Sequence, residues 1–347
     1  MHDRNQRIKN SGLTNFPNPP SVRRQIKGEG GMRVLLAGAS GYIGHEVLIE
    51  LVRRKISVVA PVRRIDFFST YLREQASIIR SDILEDPGWD KHIGAIDAVI
   101  SCLASRTGSP SDARKVDYEA NVRLLESAQK CGAEKFILLS AICVQKPRLA
   151  FQYEKLRFER KLIDSSIRAA IVRPTAFFKS LAGQIDRVKE GKPFLLFGSG
   201  KLTACKPISS RDLAIFLVNQ LNQSNQNVVL PIGGPGPAIT SLDQAKLLCE
   251  LADVPLKTRG VPPQIFDVLR WLLLPLTIIS KRMADRAEFL RIAKYYATES
   301  MLLWDKDALE YDAKATPEFG VDTLEAFYRR VLFGEESVPG REANTLF

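Results

Sequence analysis

Residues 134–183 read EKFILLSAICVQKPRLAFQYEKLRFERKLIDSSIRAAIVRPTAFFKSLAG. Two short apolar runs, Phe136–Leu139 and Ala169–Val172, flank a charged segment with amphipathic spacing. Apolar runs of that length read as buried strands, and the stretch between them is long enough for a helix. The unit is therefore strand, helix, strand. Its chemically capable residues sit at the strand ends and along the helix: Ser140, Tyr153, Lys155 and then Arg173-Pro174-Thr175.

The same alternation extends towards the N-terminus. Arg33–Ala37, Ser57–Val62, Ser77–Arg80 and Asp97–Leu103 read as four further strands. Helices are expected from the glycine-rich turn to about Arg54 and from about Arg114 to Cys131. Strands and helices alternating at this spacing give an α/β fold, a Rossmann-type doubly wound parallel sheet. Beyond Thr175 the pattern loosens. A helix over about Phe178–Glu190, short strands near Pro193–Gly198 and Val228–Pro231, and a helix over Ser241–Ala252 are expected. Gln264–Tyr296 reads as largely helical with a break near Pro275. The expected organisation is a polar, disordered arm over residues 1–31 and a dinucleotide-binding domain over 32–176. A smaller, mainly helical substrate lobe follows over 177–335, interleaved with the last sheet strands, and then a loose tail over 336–347.

Composition narrows the function. The chain has 347 residues and a net charge of +11, which favours anionic partners such as phosphates and carboxylates. Six cations against two acids lie in residues 1–31. No basic run alternates with aromatics, which argues against nucleic acid. Five cysteines without C-x-x-C spacing and only three histidines argue against a disulfide framework, a zinc site or an iron–sulfur cluster. The arm has no apolar run, so it does not read as a signal peptide. WLLLPLTIIS (Trp271–Ser280) is too short to span a bilayer and reads first as a core helix. The alternative is a surface that touches a membrane or a greasy ligand. The chain as a whole reads as soluble, in the cytoplasm of a bacterium or in a plastid if the source is a plant or alga.

Gly38, Gly41 and Gly44 follow a strand and open a helix, the context in which such a turn cradles a pyrophosphate. Ser40, Tyr42 and Ile43 complete the turn. The second strand ends in Arg63 and Arg64, where a site for NAD would carry an acid. Two guanidiniums suit the 2′-phosphate of NADPH. Asp82 and Ile83, past the third strand, are placed for the adenine. Leu103, Ala104 and Ser105 are placed under the nicotinamide ribose, and Pro174 borders the same site.

The wall opposite resembles that of short-chain dehydrogenase/reductases, which carry a Ser after the fifth strand and Tyr-x-x-x-Lys on the next helix. Here Ser140 and Lys155 are present, but position 151 is Phe. Two readings stay open. In one, Lys155 holds the ribose beside an inert Phe151; in the other, Tyr153 and Arg157 form a shifted pair. A ketone reductase needs an acid beside the new alcohol oxygen. A conjugated alkene needs it less, because the conjugated system holds the charge until water or Lys155 supplies a proton.

Longer runs then carry a closer resemblance: SCLASRTG (Ser101–Gly108), LLSAICVQKP (Leu138–Pro147), FQYEKLRFE (Phe151–Glu159), IVRPTAFFKSLAGQ (Ile171–Gln184), LTACKPIS (Leu202–Ser209), LPIGGPGPAIT (Leu230–Thr240) and YYATESMLLWD (Tyr295–Asp305). Over residues 33–330 the chain resembles the NADPH-dependent divinyl chlorophyllide a 8-vinyl reductases, an atypical branch of the short-chain family. The resemblance implies reduction of the 8-vinyl group of divinyl chlorophyllide a, or of its protochlorophyllide precursor, in chlorophyll or bacteriochlorophyll synthesis. Beside it, position and chemistry make Phe177 and Phe178 candidate ring contacts and Lys179 and Lys206 candidate partners for the propionate. Trp271, Tyr295, Tyr296 and Trp304 are candidates for a lid, with a core role as the simpler reading. The rival readings are a reductase of another conjugated alkene and a cofactor-binding sensor or pigment-protein assembly factor without turnover.

Overall fold

The computed structural model of the chain describes residues 31–224, 226–277 and 280–338. The expectations for residues 1–30 and 339–347 fall outside the described residues. The strands are β1 (Arg33–Ala37), β2 (Ser57–Val62), β3 (Ser77–Arg80), β4 (Ala98–Ser101), β5 (Lys135–Leu139), β6 (Arg168–Pro174) and β7 (Phe194–Phe197). They continue with β8 (Ala204–Cys205), β9 (Val228–Ile232), β10 (Ile239–Thr240), β11 (Thr258–Val261), β12 (Leu303–Asp305) and β13 (Glu310–Asp312). The helices are α1 (Tyr42–Arg53), α2 (Thr70–Gln75), α3 (Pro110–Ala113), α4 (Asn121–Lys130), α5 (Ala150–Ile163) and α6 (Phe178–Leu181). After them come α7 (Ile185–Lys189), α8 (Ser210–Asn219), α9 (Ser241–Leu251), α10 (Ile265–Thr277), α11 (Lys281–Thr298) and α12 (Leu324–Leu332). A π-helical stretch, Arg114–Ala120, joins α3 to α4.

Seven strands form one parallel sheet in the order β3-β2-β1-β4-β5-β6-β9. Side chains alternate across its faces, as the two-residue period of a strand demands. Val34, Leu36, Val58, Ala60, Ile100, Ile137 and Val172 pack on the side of α1 and α8. Leu35, Ala37, Val59, Val99, Phe136, Leu138 and Ile171 pack on the side of α4 and α5. Burial on both faces is why these strands read as unbroken apolar runs. The strand order reverses between β1 and β4, so a crevice opens beyond their carboxyl ends.

After Thr175 the chain leaves the sheet and returns to it. α8 supplies Leu213, Ala214, Phe216 and Leu217 to the α1 face, and β9 extends the sheet beyond β6. A separate core gathers Phe178, Ile185, Val188, Phe194, Leu196, Leu248, Phe327 and Tyr328. This region is mainly helical, as expected, and also carries short strands. It holds the two-stranded pairs β7–β11, β8–β10 and β12–β13, whose strands of two to four residues are too short to show a period. The helix expected over Phe178–Glu190 is two helices. Between them Gln184 exchanges hydrogen bonds with the Leu195 backbone at 2.9 and 2.6 Å, which draws the chain out to meet β7.

Pro275 lies in the last turn of α10, which ends at Thr277, and α11 starts at Lys281, so the break falls just after the proline as expected. No residue of α10 is buried. The core role expected for this apolar stretch is therefore corrected: Trp271 is 70% exposed, and Val268 and Leu272 are each 57% exposed. Ile278 and Ile279 lie outside the described residues.

One carboxylate ties the C-terminal segment to the sheet. Asp212, buried in the first turn of α8, accepts hydrogen bonds at Oδ2 from the Val321 and Asp322 amides at 3.1 and 2.9 Å. Gly320 stands so close that a Cβ there would lie 2.1 Å from the same oxygen. Asp212→Ala leaves both amides short of an acceptor, and a loss of about 2–3 kcal/mol is expected, read as a lower urea midpoint at unchanged slope.

Candidate active site

β1 runs into the turn Gly38-Ala39-Ser40-Gly41, and Gly41 is the N-cap of α1. Gly38 has φ +82°, and a Cβ on it would lie 2.8 Å from the Cys102 backbone. A Cβ on Gly44 would lie 2.1 Å from the Gly38 carbonyl oxygen. These glycines are therefore dictated by contact between β1, α1 and the end of β4. No side chain caps α1, so its first amides are open to an anion. Ser40 and Gly41 are exposed, while Ile43 is buried in the core and anchors the helix. Tyr42 is half-buried, its ring 6.4 Å from that of Phe177 and 5.5 Å below the Lys179 ammonium. Burial pushes its phenol up.

At the far end of the crevice Arg63 and Arg64 are exposed and have no ion-pair partner among the described residues. Asp82 uses Oδ1 to cap its own turn, accepting from the Leu84 and Glu85 amides at 2.9 and 3.3 Å, and Ile83 is buried.

The other end is built on a carboxylate that the sequence did not single out. Lys155 Nζ sits 2.9 Å from Asp117 Oδ1, with both side chains nearly or fully out of solvent. Asp117 Oδ1 also accepts from the Ser105 amide at 3.3 Å. Asp117 Oδ2 is buried and has no hydrogen-bond partner among the described residues. Asn121 fixes the π-helical stretch, donating to the carbonyls of Val116 and Asp117, both at 3.2 Å, while Ser101 donates to its Oδ1 at 2.6 Å. Leu103 is half-buried and Ala104 exposed beside them.

α5 starts on Gln152, which is fully buried. Its Oε1 accepts from the Arg148 and Leu149 amides, and its Nε2 donates to the Cys143 carbonyl. Phe151, Lys155, Phe158 and Glu159 share the inward face. Tyr153 does not. Two residues from Lys155, it sits about 200° around the helix; it is 55% exposed and donates to the Pro147 carbonyl at 3.0 Å. Ser140 is buried, but its hydroxyl donates to Glu159, which Arg173 also grips. The structure therefore does not assemble Ser140, Tyr153 and Lys155 into one catalytic group, and of the three only Lys155 borders the ribose floor.

Among the expected substrate residues, Phe177 and Lys179 stand beside Tyr42 at the mouth of the turn. Phe178 points the other way, into the second core against Phe327, with ring centroids 5.4 Å apart. Lys206 is buried and held by Glu318, so its ammonium is not presented to a ligand. Pro174 closes β6 in register with Ile232.

Phe151 heads a small cluster with Ile142, Cys143, Leu149, Ile292, Tyr295 and Met301, against which Ala141, Ala176 and Tyr296 pack. Tyr295 donates to the carbonyls of Cys143 and Lys146 at 3.0 and 3.1 Å. The Tyr296 hydroxyl lies 3.9 Å from Cys143 Sγ. Burial pushes the Tyr296 phenol well up, helped by the Cys143 thiol. Trp304 lies under the Lys146 ammonium, 4.0 Å away. Burial also pushes the Cys102 and Cys205 thiols up to about 12, which keeps them protonated and unreactive.

The profile of the NAD(P)H-binding family matches residues 38–224. A chloroplastic divinyl chlorophyllide a 8-vinyl-reductase from Arabidopsis thaliana is 42% identical over 97% of this chain and 84% of its own length. The chloroplastic enzyme of that name from Cucumis sativus is 45% identical over 89% of this chain and 78% of its own length. The chain belongs to the divinyl chlorophyllide a 8-vinyl-reductase family. A nucleoside-diphosphate-sugar epimerase from Staphylococcus aureus shares the fold, with a TM-score of 0.63 at 16% identity over 86% of this chain and all (100%) of its own. Membership of an NAD(P)H-binding family agrees with the site. The glycine contacts leave no room for side chains under a pyrophosphate, the α1 amides are open, and the unpartnered Asp117 oxygen is an acceptor beside the ribose floor.

The buried pair yields a double-variant test. Lys155→Met or Asp117→Asn alone strands one charge and is expected to cost about 3–5 kcal/mol of stability. The double variant removes both charges and is expected to recover most of that loss in chemical denaturation. If Lys155 also grips the ribose, NADPH affinity stays weak in the double variant; recovery of affinity together with stability rules out the ribose contact.

Proposed function

We propose that the protein reduces the 8-vinyl group of divinyl chlorophyllide a, or of divinyl protochlorophyllide a, to ethyl with NADPH. The observation that carries this reading is 42–45% identity to vinyl-reductases across most of the chain. When bound, the cofactor supplies a hydride to one carbon of the vinyl group, and a proton completes the ethyl group. Arg63 and Arg64 hold the 2′-phosphate, and Lys155, steadied by Asp117, holds the nicotinamide ribose. Phe177 lies against the flat macrocycle and Lys179 meets its propionate. Residues 177–335 act as the lobe that closes over the pigment, whose hydrophobicity puts the reaction beside photosynthetic membranes.

The proposed reading also needs a proton donor. Phe151 has no hydroxyl, and the Lys155 ammonium is committed to Asp117. Tyr296 packs on the same cluster as Phe151, as do Ala141 and Ala176, which follow the carboxyl ends of β5 and β6. Burial pushes its phenol well up, so it carries its proton at neutral pH. We assign Tyr296 as that donor.

Absorbance tests the reading. Incubated without oxygen with NADPH and divinyl chlorophyllide a, the purified protein is expected to shift the Soret band to the blue. NADPH binding without any shift refutes the assignment and favours the rival, a cofactor-binding protein without turnover. Tyr296→Phe is expected to lower kcat about a hundredfold at unchanged NADPH affinity; an unaltered kcat removes Tyr296 from the mechanism.

A further inference from the structure

α10 reads IFDVLRWLLLPLT and wears its apolar stripe on the outside. Phe266, Arg270, Leu273 and Thr277 recur at helical spacing and form the half-buried side. Ile265, Val268, Leu269, Leu272 and Leu276 recur at the same spacing on the adjoining face, and all five are exposed. Trp271 stands at the edge of this stripe. A helix on a protein in water turns such a stripe to the core. A contiguous apolar face left outside marks a surface made for another phase or partner.

The charges around it indicate which. The segment leading into α10 (Lys257 and Arg259, the latter on β11) and the helix that follows (Arg282 and Arg286, on α11) carry cations that are all exposed and without an ion-pair partner among the described residues. The one acid on α10, Asp267, is neutralised by Lys294 at 2.6 Å. A second copy docked about a two-fold axis would bring these cations near their own images, which opposes association. An anionic lipid surface satisfies the stripe and the cations together. At 1.5 Å per residue, α10 is about 20 Å long, too short for a hydrocarbon core of about 30 Å. Among the described residues no helix is long and apolar enough to cross a membrane.

We propose that α10 is an interfacial anchor, lying in the plane of an anionic bilayer with Ile265, Val268, Leu269, Leu272 and Leu276 in the headgroup–acyl boundary. Lys257, Arg259, Arg282 and Arg286 meet the lipid phosphates. The anchor stands apart from the vinyl-reductase reading: it rests on exposure and charge, and it holds whichever reaction the crevice performs.

The test uses the full chain and vesicles of phosphatidylcholine with or without phosphatidylglycerol. The protein is expected to float with the phosphatidylglycerol vesicles and less with phosphatidylcholine alone. Trp271 emission moves to the blue on binding, a shift absent in Trp271→Phe. Leu269→Glu with Leu272→Glu changes only exposed positions; it is expected to cut the vesicle-bound fraction about tenfold or more while NADPH binding and the thermal midpoint hold. Failure to float with anionic vesicles, or equal flotation by the double variant, overturns the proposal. So does a lipid-free dimer that the double variant splits, which would make a second copy the occupant. Loss of pigment binding by that variant in lipid-free solution would give the face to the substrate instead, and also overturns it.

Discussion

An ammonium and a carboxylate withdrawn together from water hold the active-site crevice in shape. The Lys155–Asp117 pair joins three elements that share no backbone hydrogen bonds: α5, the π-helical stretch before α4, and the loop after β4 that carries Ser105. Desolvating two charges is expensive, and their attraction offsets that cost only where geometry and further hydrogen bonds are good. Asp117 has one such bond, from Ser105, and one buried oxygen without a protein partner. The pair is therefore satisfied on one side only. A hydroxyl arriving beside Asp117 Oδ2 would complete it, and on the proposed reading cofactor binding and the integrity of this corner would be coupled through that one carboxylate.

The parts of the fold that were legible from sequence are those where a backbone contact or a continuous apolar run dictates residue type. β1, β2, β4, β5 and β6 were readable because both faces of each strand are buried, whereas β3 is a half-exposed edge strand. Gly38 and Gly44 were readable because any side chain there would collide with backbone. What stayed hidden depends on partners brought together only by the tertiary fold. Asp117 and Asn121 sit in a helical segment whose period gives no hint that one is paired to Lys155 and the other fixes a π turn. Lys206 looked like a free cation until Glu318 came to meet it. Phe177 and Phe178 looked equivalent, but neighbours at the start of a helix point different ways, and only Phe177 faces the crevice. Tyr153 carried its own warning: a residue two positions from Lys155 lies across the helix from it.

The replacement of a phenol by Phe151 fits the rest of the wall. Ser140, which would serve such a phenol, has its hydroxyl turned to Glu159, and Glu159 is locked to Arg173 on β6. Two members of the expected group are thus absorbed into packing, and only the lysine retains a place at the ribose floor. That pattern is what remains when a site keeps its hold on the dinucleotide but no longer stabilises an alkoxide. Hydride addition to an alkene conjugated with a large ring puts charge on carbon, spread over the macrocycle. A buried phenol that is pushed up, as Tyr296 is, keeps its proton at neutral pH, which is the condition the proposed donor role sets.

On the proposed reading, substrate placement relative to the cofactor would follow from one strand. β6 ends at Pro174, and within five residues the chain presents Phe177 and Lys179 beside Tyr42, the first residue of α1. The same short segment is anchored to β9 through the Thr175 amide and to the second core through Phe178, which fixes Phe177 and Lys179 beside Tyr42. Burial holds the Lys179 pKa below its ordinary value, since the charged form is partly desolvated there. A carboxylate docking against it reverses that balance by favouring the ammonium.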